Sequence, residues 1–244
     1  DAAGRPTVSA QRCRLVRRGR GIRWRGRVHE YLDISGARAV AVDIGIAHHR
    51  EVRDHSDRNL RIYERIAAET GGLRGRDLYY YANELADAGR FAEAASAYRA
   101  YLAEPSGYRE DKVTASLRLS DCCRRLGDEA GRIDALLGSF RFDAPHAEVC
   151  CALGGWFEES GDWRTAAYWY ERALDAPLAE GWLGVVNNAC RTWLPHARLC
   201  ICYGRLGRWA DAARHNEAAL GWLPDDEGLK ANKRILEEKL REGA

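Results

Sequence analysis

Residues Ala147 to Pro177, AEVCCALGGWFEESGDWRTAAYWYERALDAP, read as two short amphipathic helices joined by a tight turn. Phe157, Trp163 and Tyr170 are large enough to fill the interval between two packed helices. Gly154, Ala166 and Ala173 are small enough to let the backbones approach. Gly161 accepts the left-handed conformation that ends the first helix, and Pro177 cannot extend the second. One such pair cannot bury its own apolar face, so the stretch predicts neighbours of the same kind.

The neighbours are present. Arg76–Pro105 repeats the pattern with Ala82, Leu85, Gly89, Phe91, Ala94, Tyr98 and Pro105. Trp193–Pro224 repeats it with Leu199, Tyr203, Gly207, Trp209, Ala212, Ala219 and Pro224. Val113–Pro145 is a weaker copy: Leu119, Cys123, Gly127 and Leu136 fit, but Glu129 and Arg132 stand where an aromatic and a small residue belong. The turn glycines Gly89, Gly127, Gly161 and Gly207 lie 38, 34 and 46 residues apart. A period of about 34 residues with these residue types is the tetratricopeptide (TPR) pattern. The last interval holds an insertion, placed at Gly181–Thr192. Glu227–Arg241, with Leu229, Ile235, Leu236 and Leu240 inward, reads as the polar helix that caps a solenoid. The fold class expected is mainly α: a TPR-like α-α superhelix of about four repeats behind a small β segment.

At 244 residues, 46% apolar and 30% charged, the chain suits one repeat domain and a smaller piece. A net charge of +2 gives no global pull toward polyanions. No apolar run approaches the roughly 20 residues of a membrane span and no signal-peptide pattern opens the chain, so a cytoplasmic protein is expected. Eight cysteines occur without a C-x-x-C spacing, as Cys122-Cys123, Cys150-Cys151, Cys200/Cys202, Cys13 and Cys190. Adjacent helical residues diverge by about 100°, which favours buried free thiols over disulfides. The chain lacks Met and begins at Asp1 within polar sequence, the pattern expected of a piece of a longer protein.

The first fifty residues differ in kind. Arg12–Arg18 and Ile22–Leu32 alternate charged with apolar residues, the period of strands with one covered face, around a turn at Gly19-Arg20-Gly21. Ala39–Ala47 reads as a third, more buried strand. A helix is expected from Ser56 or Asp57 through Glu69, with Gly71-Gly72 ending it.

Three constellations could carry chemistry. A strand ending in His29-Glu30, near a second ending in His48-His49, could bring imidazoles and a carboxylate to one sheet edge, to hold a divalent metal or an anionic substrate; exposed or structurally bonded histidines are the plainer alternative. The arginines between Arg12 and Arg27 could contact phosphate, or form a solvated face. With Trp24 as the one interleaved aromatic, no nucleic-acid partner is expected. In a TPR array the first helices line a groove. By that geometry Arg76, Tyr79 and Asn83 face it from the first repeat, Asp121 and Arg125 from the second, Glu158 from the third and Arg205 from the fourth. Amide, carboxylate and guanidinium groups so placed bind an extended peptide through its backbone and charges, or pair with one another.

WRGRVHEYL, IGIAHH, DRNLRIYE, RDLYYYANEL, TWLPHARLCICYGRLG and HNEAAL together resemble the bacterial family 2 glycosyltransferases with a C-terminal TPR region, a group that includes peptide S-glycosyltransferases. The resemblance runs from about Cys13 to the last helix. It implies that 1–54 are the C-terminal strands of a GT-A α/β domain, 55–75 a connecting helix, 76–226 the repeats and 227–244 the cap. It further implies a nucleotide-sugar donor, a divalent cation (Mg or Mn), a peptide or protein acceptor in the groove, and donor or metal contacts at His29, Glu30 and His48, with His48 as the metal ligand. It leaves room for a homodimer through the repeats. The sequence contains no Asp-x-Asp, which in that family lies upstream with the nucleotide-binding half and the acidic base. This chain alone is therefore expected to be inactive. The alternative is a non-enzymatic TPR adaptor for protein–protein interaction.

Overall fold

A computed structural model of the chain describes residues 5–10, 13, 15–34, 36–38, 40, 42, 44, 46, 57–178 and 181–242. The elements run β1 (Val8–Ser9), β2 (Arg23–Arg25), β3 (Tyr31–Asp33), α1 (Arg58–Thr70), α2 (Gly75–Asp87), α3 (Phe91–Ala103), α4 (Arg109–Leu126), α5 (Glu129–Gly138), α6 (Ala147–Glu159), α7 (Trp163–Asp175), β4 (Val186–Asn187), α8 (Trp193–Arg205), α9 (Trp209–Trp222) and α10 (Glu227–Glu242). Short 3-10 turns follow α5 and β4. The chain divides into two compact units, one of residues 10–132 and one of 133–244 joined by residues from the N-terminus. The helices α2 to α9 fall where the repeat spacing puts them, and α2/α3, α6/α7 and α8/α9 pack as pairs.

In the unit 10–132 the pair α2/α3 closes on Ala82, Leu85, Ala94 and Tyr98, all buried. At the end of α3, Lys112 from α4 turns its buried ammonium onto the carbonyls of Tyr101 (2.5 Å) and Glu104 (2.8 Å). The charge thus sits where a helix C-terminus is negative. Helix α1 ends on Gly71 in the left-handed conformation, as its sequence predicts. Asp57 precedes α1 but bonds Arg61 at 2.6 Å rather than capping the backbone.

The strand expected over Ile22–Leu32 is instead a hairpin. β2 pairs antiparallel with β3, with Trp24 opposite Leu32. Gly26 turns the chain at φ +98°, where a side chain would also press on the Val28 carbonyl at 3.1 Å. The described residues of Arg12–Arg18 form no strand, and Leu15 is exposed. Much of Ala39–Ala47 lies outside the described residues. Val40, Val42, Ile44 and Ile46 are described, stand in no strand and are exposed, contrary to the buried strand expected. Alternation alone cannot say where a strand folds back on itself.

The unit 133–244 is built on the quoted repeat. Its core joins Cys150, Cys151, Ala166, Tyr170 and Ala173 to Leu199, Cys202, Tyr203 and Ala212, with Phe157, Trp163 and Trp209 half-buried around them. The small–large logic is literal at Gly154, where an added Cβ would stand 2.8 Å from the Tyr170 ring. Asp162 caps α7 by accepting from the Thr165 N–H at 3.0 Å.

The insertion carries β4, and β4 pairs with β1: Val8 lies opposite Asn187, and the Asn188 amide reaches the carbonyl of Pro6 at 2.8 Å. Residues 5–9 therefore pack on this unit instead of joining a sheet with the later N-terminal strands. Helix α10 buries Leu229 and Leu236, two turns apart, whereas Ile235 and Leu240, expected inward, are exposed. All eight cysteines are free. Seven are buried and Cys13 is exposed. Burial pushes the Cys122, Cys150 and Cys200 thiols up to about 11, leaving them inert packing groups. No helix among the described residues is long and apolar enough to cross a membrane.

Candidate functional site

The polar groups of the first repeats gather on α2, α4 and the hairpin, all within the unit 10–132. Helix α2 opens at Gly75, whose N–H is held by the Glu104 carboxylate at 2.9 Å. The three tyrosines that follow take three directions. Tyr79 points into the core against Tyr101, ring centroids 5.3 Å apart, and burial pushes its hydroxyl up to about 12, helped by the charge of Asp111. Tyr80 faces the hairpin. Tyr81 turns toward Tyr63 of α1.

His29, in the β2–β3 turn, stacks flat on Tyr80 at 4.1 Å, and its Nε2 lies 2.9 Å from the Glu84 carboxylate. It is the one non-glycine residue with positive φ among the described residues, at 50°. Such a backbone costs about 1–3 kcal/mol, and the stack and the bond to Glu84 are the contacts that hold it.

Beside it, Arg76 donates from Nη2 to the Tyr80 hydroxyl at 2.8 Å. Its guanidinium lies 4.7 Å from the Tyr31 ring centroid and 5.2 Å from that of Tyr80. Burial opposes its charge, but the Tyr80 bond and the negative Asp111 outweigh that and hold its pKa above the ordinary value. Its Nε is buried and has no hydrogen-bond partner. Gly26, Val28, His29, Tyr31, Arg74, Arg76, Asp77 and Tyr80 line a recess of about 250 Å³.

Below the recess a polar ladder crosses from α2 to α4. Asn83 accepts from the Tyr98 hydroxyl at 2.6 Å, and Arg118 bonds Tyr98 (3.3 Å), the Asn83 carbonyl (3.4 Å) and Asp87 (2.5 Å). Asp121 pairs with Arg124 at 2.6 Å, and Arg125 lies over the Phe91 ring at 5.7 Å. In the other unit, Glu158 accepts from Tyr170 (2.8 Å) and Arg198 (3.3 Å), while Arg205 lies over Trp163 at 5.3 Å.

Of the groove residues expected from sequence, Arg76, Asn83, Asp121 and Arg125 thus lie on partly open helix faces. Tyr79 is 6% exposed and belongs to the core. Glu158 and Arg205 belong to a separate compact unit. Glu30 is exposed, and His48 lies outside the described residues. Among the described residues no three His, Cys, Asp or Glu side chains are placed to hold a metal ion, so the divalent cation implied by resemblance finds no fitting donor set there. Sequence reasoning passed over Arg118, Tyr80, Tyr31 and Arg74. Arg118 was legible in principle, because it stands one turn before Asp121 on the same face of α4.

These helix pairs define a protein of the TPR type. Structures that share the fold include MamA protein (TM-score 0.52, 18% identity, 75% of this chain and 84% of that one). A TPR protein from Parabacteroides merdae gives a TM-score of 0.54 at 12% identity, over 74% of this chain and 65% of that one. YrrB, described as a TPR protein with an unusual peptide-binding site, gives 0.56 at 12% identity, over 75% and 85%. No protein-family model and no curated protein matches the chain.

Proposed function

We propose that this chain is a binding module that captures an extended peptide or protein segment on the α2–α4 face of the unit 10–132. The observation that carries this reading is the recess of about 250 Å³ between hairpin and α2, together with the ladder of Asn83, Tyr98, Arg118 and Asp87 and the exposed Asp121 and Arg125 on α4. Its donors and acceptors are fixed before any partner arrives, which lowers the ordering cost of binding. The likeness in fold to a peptide-binding TPR protein supports the same class of partner.

Selection of a random-sequence peptide library on the immobilised protein tests it. Enriched peptides should bind with micromolar affinity by fluorescence anisotropy, and Arg125→Ala and Asn83→Ala should each weaken them severalfold. Failure to enrich any peptide would remove the reading.

Service of this module within a nucleotide-sugar transferase, with His29, Glu30 and His48 as donor contacts, is supported by the sequence resemblance alone. No step of transfer is derived from the described residues. The adaptor reading requires only the repeat faces.

A further inference from the structure

The recess between the hairpin and α2 has an uneven set of charges. Two guanidinium groups, Arg74 and Arg76, and one carboxylate, Asp77, line it. Arg76 is fixed by the Tyr80 hydroxyl and by the Tyr31 and Tyr80 rings on either side. Arg74 is exposed, and its side chain has no ion pair or hydrogen bond among the described residues. It precedes α2 in extended conformation, so its side chain extends from a backbone position outside the helix. The α2 N-terminus is already occupied by Glu104, so the free donors in the recess are those of the arginines. Arg76 Nε is buried and has no hydrogen-bond partner, so this guanidinium keeps one donor unused.

Magnitudes choose between anions. A phosphate brings a charge of about −1.5 to −2 and three acceptor oxygens. It would sit against Asp77 with one guanidinium free to turn toward it and the other tied to a tyrosine. A carboxylate brings one charge and two oxygens, which one guanidinium fork satisfies. The walls suit the rest of an acidic side chain: the exposed Tyr31 ring supplies apolar surface for a methylene stem, and the volume exceeds that of a glutamate side chain.

We propose that the recess takes the carboxylate side chain of an acidic residue in the bound segment. Arg74 makes the two-point contact, Arg76 lies fixed beneath it, and His29 forms the far wall. This rests on the peptide-binding reading above and gives it a specificity.

The test uses the full chain. The same random-sequence library is selected on wild type and on Arg74→Gln, whose thermal midpoint should not move because the wild-type side chain has no partner among the described residues to lose. Wild type is expected to enrich Asp or Glu at one position of the peptide, and Arg74→Gln to lose that enrichment. For one enriched peptide, Arg74→Gln should weaken binding about tenfold. Replacing the peptide's acid by its amide should cost about the same, and the two changes together little more than either alone.

Peptides enriched without an acidic position, or two losses that simply add, would overturn the acidic subsite while leaving peptide binding intact. No enriched peptide at all would remove both. An oligodeoxynucleotide or phosphopeptide that binds more tightly than the acidic peptide and loses that affinity in Arg74→Gln would assign the recess to phosphate, and so overturn the proposal.

Discussion

Gly154 and Gly155 sit side by side in α6 and separate two effects that usually mix. A glycine inside a helix costs roughly 0.5–1 kcal/mol relative to alanine, so Gly→Ala there should stabilise unless space forbids it. At Gly154 space forbids it, with Tyr170 ring atoms 2.8–2.9 Å from an added Cβ. At Gly155 the nearest atom, the Tyr170 hydroxyl, is 3.7 Å away. Gly154→Ala is therefore expected to lower the unfolding free energy by about 1–3 kcal/mol in urea titration, and Gly155→Ala to leave it unchanged or raise it. Equal effects would mean that Tyr170 does not hold the α6–α7 distance. The small residue at position 154 was legible in the sequence because the repeat demands it. The strained His29 was not: positive φ at a histidine leaves no pattern, and its support comes from Glu84, 55 residues away.

Elements are held together here by a few buried polar contacts that periodicity cannot show. Helix α10 is tied to α9 by Asn216, 1% exposed, whose amide donates to the Leu229 carbonyl at 2.9 Å. Asn216→Asp replaces that donor with a buried carboxylate facing a carbonyl. It should cost about 1–3 kcal/mol or more, and hydrogen exchange should show α10 opening before the rest of its unit. A second such contact joins α8 to α9, where Nδ1 of His196 and Nδ1 of His215 lie 2.9 Å apart. Only one proton fits between them.

Burial, then His196, then Arg214 push His215 down to about 4, against the weaker pull of Glu171 and Asp211. In the unfolded chain it titrates near its ordinary value of about 6.5. The unfolded state thus binds the extra proton first as pH falls. Stability from this group is full above about 6.5 and is lost between there and about 4, by roughly 2–3 kcal/mol. His215→Gln should flatten that limb of a stability–pH curve and leave the carboxylate limb below it. An unchanged curve would place the histidine outside the buried pair. The helices α2–α9 were readable from glycine and aromatic spacing. The exposure of Ile235 and Leu240 was not: α10 packs on α9 and buries only the Leu229–Leu236 stripe.

For the whole chain, the repeats were written locally and the N-terminal fifth was not. A helix pair announces itself every 34 residues or so, because the same packing problem recurs. The β1–β4 pairing joins Val8 to Asn187 across most of the chain through two residues a side, too short to leave an alternation. The β2–β3 hairpin was mistaken for one strand because Gly26 was read as a strand residue. With it went the recess, four of whose lining residues (Gly26, Val28, His29 and Tyr31) come from the hairpin. Arg76 and Asn83, expected in the groove, lie on partly open helix faces, while Tyr79 is core packing. The functional reading therefore rests on one face of the unit 10–132, and it can be mapped directly. Hydrogen–deuterium exchange of the full chain, with and without a library-selected peptide at saturation, should show new protection in α2, α4 and the β2–β3 turn, and little change in α6–α10. Protection confined to α6–α10, or none anywhere with the peptide demonstrably bound, would contradict it.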